Sequence, residues 1–73
     1  MERTMVESAI KLFLHEIGMR LAAAASVAKA AQVCADQGNV AKAVEIVLDI
    51  EQMTYEANNL LNSASTLNRI VPD

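Results

Sequence analysis

The sequence predicts an all-α fold made of two long antiparallel helices joined by one turn, a helical hairpin. A single turn signal, Asp-Gln-Gly-Asn at residues 36–39, interrupts the chain. Apolar residues make up 53% of the sequence and aromatic residues only 3%, which favours closely packed aliphatic helices over a sheet. Apolar residues on both sides of the turn recur with the period of a helix. A length of 73 residues predicts one domain.

The first helix is predicted to span about residues 4–36. Thr4 followed by Glu7 matches the capping-box pattern, which places the start of the helix at Thr4. Gly38 lies just beyond the predicted end, where a left-handed residue commonly closes a helix. The predicted turn covers residues 37–39.

The second helix is predicted to run without interruption over about residues 40–70. Asn39 precedes it and is well suited to cap its first turn. The only proline, Pro72, comes after the predicted end of this helix.

Both predicted helices carry apolar arcs too wide for one neighbouring helix to cover. At 100° per residue, the arc of the first helix spans roughly 200°, about twice an ordinary one-sided stripe. Its main stripe contains Val6, Ile10, Phe13, Ile17, Leu21, Ala24, Ala28, Ala31 and Ala35. The main stripe of the second helix contains Ala43, Ile46, Ile50, Met53, Ala57, Leu60, Leu61 and Ala64. We therefore predict that two hairpins pair into a homodimeric four-helix bundle.

A small group of polar residues is predicted to converge within these arcs. Glu16 and Arg20 are four residues apart, which permits an ion pair on one helix. The antiparallel arrangement places them opposite the later part of the second helix, so Arg20 is expected to pair with Glu16 or Glu51. The candidate polar cluster is Glu16, Arg20, Glu51, Tyr55, Asn58 and Asn62.

Three interpretations of this cluster remain open. It is a network that fixes helix register and partner orientation, as buried polar residues do in coiled coils; or it is a solvated face; or it is a ligand or catalytic site. Glu45, Asp49 and Glu56 are assigned to the solvated outer face of the second helix.

No catalytic, cofactor or metal site is predicted. His15 has no ligand partner three or four residues away and is expected to be exposed. Cys34 is the only cysteine and is expected to be a small buried residue. Glycine-rich phosphate loops, nucleophile elbows and paired cysteines are absent from the sequence.

Composition bears on partners and compartment. The net charge of −3 and pI of about 4.9 leave no basic stripe for nucleic acid. The apolar stretches are too rich in alanine and too interrupted by charge to predict a membrane span. A single cysteine suits the reducing cytoplasm.

The sequence alone favours a small cytoplasmic protein that self-associates and acts through protein contacts, as an adaptor, regulator or chaperone-like module rather than an enzyme. Two alternatives are a bundle that binds a small molecule at the polar cluster, and a subunit of a hetero-complex. Fold alone does not choose among them.

Overall fold

A computed structural model describes residues 2–71, which form helices and turns with no strand. Helix α1 spans Arg3–Asp36, α2 spans Val40–Val47 and α3 spans Asp49–Ile70. Helix α1 packs along α2 and α3, which follow each other end to end, in a rod of 54 × 14 × 11 Å. The predicted all-α helical hairpin is confirmed. Pro72 lies outside the described residues.

The turn has the geometry that the sequence predicts. Gly38 adopts φ +95°, a left-handed conformation that glycine tolerates without a steric cost. The Gly38 amide donates to the Ala35 carbonyl at 2.9 Å and the Asn39 amide to the Cys34 carbonyl at 3.1 Å, which together form a Schellman motif. The Asn39 side chain then accepts from the Lys42 amide at 3.1 Å and caps α2.

The start of α1 differs from the capping-box prediction. The helix begins at Arg3, and Glu2 at the cap position makes no side-chain capping bond. Thr4 therefore lies within the first turn, where its carbonyl accepts from the Ser8 hydroxyl at 3.2 Å. Glu7 contacts Arg3 at 3.4 Å, so its carboxylate is engaged in an ion pair one turn away.

The second half of the hairpin is interrupted at Leu48, where the sequence predicts one continuous helix. Leu48 has φ −62° and ψ −24°, values typical of a 3₁₀ turn. Its carbonyl accepts from the amide of Glu51, three residues on, at 3.1 Å. The interruption is thus one tighter turn in a helix that otherwise keeps its direction.

The two halves meet along a seam with the spacing of a coiled coil. Buried and half-buried side chains alternate at intervals of three and four residues, the heptad pattern that keeps one stripe against a partner. In α1 the seam contains Arg3, Val6, Ile10, Phe13, Ile17, Arg20, Ala24, Val27, Ala31 and Cys34. In the second half it contains Ala43, Ile46, Ile50, Met53, Ala57, Leu60, Ala64, Leu67 and Val71.

An ion pair between Arg20 and Glu56 fixes the register of the seam. Setting Arg20 level with Ala57, the seam residue next to Glu56, and counting in opposite directions along the two halves places several small seam residues level with large ones. Phe13 with Ala64, Ala24 with Met53, and Ala31 with Ile46 are such pairs, whereas Ile17 lies level with Leu60. Such alternation fills the seam while keeping the helices close.

The seam buries little apolar surface for a chain of this composition. Within residues 2–71 the buried side chains are Val6, which is fully buried, and five alanines that are nearly so. Large apolar side chains that stay 38–66% exposed are Met5, Leu12, Leu14, Met19, Leu21, Val33, Val40, Val44, Val47, Leu48, Tyr55, Leu61 and Ile70. No helix in this range has a stretch long enough and apolar enough to cross a bilayer.

Candidate functional site

Arg20 is a charged residue in the middle of an aliphatic seam. Its heptad position places it level with Ala57, whose small side chain leaves room for a guanidinium group. The Arg20 side chain keeps 32% of its exposure, so its head reaches toward one edge of the hairpin while its stem lies in the seam. The position is structurally unusual, because coiled-coil seams are normally apolar.

Two carboxylates hold the Arg20 guanidinium. Nη1 donates to Oε2 of Glu16 at 2.5 Å, within α1. Nε lies 3.9 Å from Oε1 of Glu56, across the seam on α3. Nε is buried and has no hydrogen-bond partner among residues 2–71, so the contact with Glu56 is an ion pair without a direct hydrogen bond. One positive and two negative charges leave this polar group with a net negative charge.

The remaining predicted members do not join Arg20. Glu51, Asn58 and Asn62 are exposed, and Tyr55 is 62% exposed. The contact from α3 comes instead from Glu56, which is half-buried and not on the solvated outer face to which it was assigned.

Antiparallel geometry explains why Glu56 replaces Glu51. Glu16 precedes seam residue Ile17, and Glu56 precedes seam residue Ala57. In an antiparallel pair, the residue just before a seam residue on one helix and the residue just before a seam residue on the other lie on the same side, or flank, of the hairpin. Glu51 follows seam residue Ile50 and therefore projects toward the other flank.

A second polar contact that sequence analysis missed closes the open end of the hairpin. The Nη2 of Arg3 donates to Oδ1 of Asn68 at 2.9 Å, and its Nη1 donates to the Val71 carbonyl. Arg3 also contacts Glu7 at 3.4 Å. The sequence does contain a signal for this contact, because Arg3 lies seven residues before Ile10 and therefore at a seam position.

The polar candidates border separate open grooves rather than one cavity. Glu51, Tyr55 and Glu56 line a groove on α3 together with Leu48, Asp49, Gln52 and Met53. Asn62 lines another, with Phe13, Ser63, Thr66 and Leu67. The structure thus distributes the predicted cluster over two surfaces, and only Glu16 and Arg20 remain in contact.

The other reactive side chains lie apart from Arg20. His15 is exposed, as predicted. Cys34 is half-buried rather than buried, and its thiol lies 3.5 Å from the Asn39 carbonyl at the turn. Within residues 2–71 no three His, Cys, Asp or Glu side chains are grouped so that they could hold a metal ion.

Comparison of the chain with protein-family models, curated proteins and solved structures finds no match. An Arg20 held by carboxylates from both helices is suited to fixing how the helices pair, because a change of register would separate it from Glu56, its partner across the seam.

Proposed function

We propose that this chain is a self-associating helical hairpin that works through protein–protein contacts as an adaptor, regulator or chaperone-like module. The assembly we propose is a homodimeric four-helix bundle in the cytoplasm, with no enzymatic activity of its own. The half-buried free thiol of Cys34 suits the reducing conditions of that compartment.

The observation that carries the proposal is the excess of accessible surface. A compact monomer of 7.9 kDa exposes about 4,400 Å² by the usual scaling of surface with mass, whereas this chain exposes 5262 Å². The difference of roughly 850 Å² is close to the ~800 Å² that each partner buries in a standard protein interface.

The shape of the hairpin explains this excess. The radius of gyration is 16.7 Å, against about 11 Å for a compact domain of this length. A rod only two helices thick cannot surround its apolar side chains, and many of them remain exposed. Side-by-side packing of two such rods covers that surface and gives the four-helix arrangement common among small helical proteins.

Sedimentation equilibrium of the full chain over about 1–100 µM tests the proposal. The expected result is a species of twice the 7.9 kDa chain mass, with helical content that rises with association. A stable and fully helical monomer over the whole range would contradict self-association. It would favour the hetero-complex alternative, in which a different protein covers the apolar surface.

A further inference from the structure

One flank of the hairpin carries apolar side chains from both of its halves. We call it the apolar face and define it as Leu14, Leu21, Ala28, Val40, Val44, Val47 and Leu61, all of which are exposed. The opposite flank carries the Glu16 and Glu56 carboxylates around Arg20. Between its two apolar ends, the flank with the apolar face also carries the exposed Glu51, Thr54 and Asn58 of α3, so it is apolar at its ends rather than along its whole length.

The end of the apolar face near the turn is concave. A shallow groove of about 290 Å³ lies between α1 and α2. It is lined by Ala28, Ala31, Gln32, Ala35, Val40, Ala43, Val44 and Val47, of which only Gln32 is polar. Alanines of α1 leave the space, and the exposed Val40 and Val44 border it.

The other end of the apolar face carries two exposed leucines. Leu14 is 55% exposed on α1 and Leu61 is 54% exposed on α3. Counting from the Arg20–Glu56 pair, the two leucines lie at the same level of the rod and form a leucine pair. At 1.5 Å per residue, the leucine pair is about 26 Å from the middle of the groove.

We propose that the occupant of the apolar face is a second copy of this chain, bound antiparallel, with the leucine pair of each copy seated in the groove of the other. This inference rests on the proposed function and adds which surface forms the dimer interface and how the two copies are oriented. Each copy carries both a projection and a groove on one face. A two-fold axis near the level of Ala24 brings both projections into both grooves at once, as an isologous interface requires.

Packing favours the antiparallel orientation over the parallel one. In a parallel dimer the two turns lie at the same end, so the groove of one copy would face the groove of the other, and the two leucine pairs would face each other. The first contact leaves a void and the second crowds four leucines, and both depart from the dense packing of protein interiors. The antiparallel orientation fills the void with the side chains that otherwise project.

A second set of exposed apolar residues provides the matched control. Met5, Leu12, Met19 and Val33 lie along the other edge of α1. The corresponding edge of α2 and α3 is polar and carries Glu45, Gln52, Asn59 and Thr66. This edge is apolar over one helix only, so it is not suited to hold a second hairpin.

Two double variants of the full chain test the face. Leu14→Gln with Leu61→Gln is expected to raise the dimer dissociation constant by about tenfold or more, because each copy loses two leucines from the interface. Leu12→Gln with Met19→Gln removes equally exposed apolar groups and is expected to change it by less than about threefold. Sedimentation velocity gives the constants, and circular dichroism measures the helical content of each variant.

A distance measurement tests the orientation even if the first variant fails to fold. Ser8→Cys in a Cys34→Ala background carries a spin label on the outer side of α1. An antiparallel dimer places the two labels about 45–50 Å apart, since each lies some 15 residues from the axis. A parallel dimer places them roughly 20–30 Å apart, the width of a four-helix bundle.

The possible outcomes separate this inference from the proposed function. A parent chain that stays monomeric overturns both. If the parent dimerises and yet responds in the opposite way, Leu12→Gln with Met19→Gln dissociates the dimer and Leu14→Gln with Leu61→Gln leaves it intact. That result overturns the apolar face as the interface but is consistent with self-association. A distance of roughly 20–30 Å between the two spin labels overturns the antiparallel arrangement.

Discussion

Arg20 and Glu56 face each other across the seam, with the guanidinium Nε 3.9 Å from the carboxylate Oε1. One residue belongs to α1 and the other to α3, so their contact links the two halves of the hairpin. Glu16 supplies a second carboxylate from within α1. Charged side chains as well as aliphatic ones therefore connect the two halves.

Replacing Glu56 tests this cross-seam contact. Glu56→Gln is expected to lower the free energy of unfolding by up to about 1 kcal/mol, since a partly exposed ion pair is lost. Glu51→Gln is the matched control, because Glu51 is exposed on the other flank, and its effect is expected to stay within about 0.5 kcal/mol. Urea unfolding of both variants at one protein concentration gives the comparison. A larger effect at Glu51 would mean that the register is wrong.

Arg20→Met tests whether the charge specifies pairing. Methionine preserves the apolar stem, so the helices are expected to persist, while the seam loses the charge that disfavours other registers. Native mass spectrometry is expected to show a broader set of oligomers than in the parent. Arg69→Met, at an exposed site in the last turn of α3, should leave the distribution unchanged. An Arg20→Met protein identical to the parent in oligomer distribution and stability would show that the charge specifies nothing.

The two glycines are expected to respond in opposite directions. Gly38→Val should lower the free energy of unfolding by about 1 kcal/mol or more, because φ +95° is strained for a β-branched residue. Gly18→Ala should raise it by about 0.5–1 kcal/mol, since Gly18 is within α1 and a Cβ there meets nothing within 4 Å. Thermal and urea unfolding measure both changes. An unchanged stability for Gly38→Val would place the chain reversal elsewhere.

Asn39→Ala tests the cap of α2. Loss of the 3.1 Å bond to the Lys42 amide is expected to cost about 1 kcal/mol. Asn59→Ala provides the control, because Asn59 is exposed within α3 and alanine there has the higher helix propensity, so this variant is expected to be slightly more stable. Equal effects of the two substitutions would argue against a capping role for Asn39.

Helix phase explains which seam residues the sequence predicted and which it did not. A stripe drawn at 100° per residue drifts by about 20° per heptad from the seam of a coiled coil. The predicted stripe of α1 therefore follows the observed seam as far as Ile17, after which it keeps Ala24 and Ala31 but departs by one residue at alternate positions. It includes Leu21 and Ala28, which are exposed, where the structure has Arg20 and Val27.

The register of the two helices accounts for the candidate cluster. The ion pair of Arg20 with Glu16 was predictable, because residues four apart on one helix are always neighbours. Its partner across the seam was not, because Glu51 and Glu56 are both plausible until the register and the flanks are known. Tyr55, Asn58 and Asn62 were grouped with Arg20 for the same reason and prove to be exposed.

The sequence by itself determined the hairpin, the left-handed Gly38 and the Asn39 cap, because each depends on interactions between residues a few positions apart. It also determined that the chain carries more apolar surface than two helices bury. Only the tertiary structure decided which side chains form the seam, that Glu56 meets Arg20, and that Leu14, Leu61 and the turn groove share one face. These relationships join residues distant in sequence, and they follow from the register of two helices rather than from the local preferences of either.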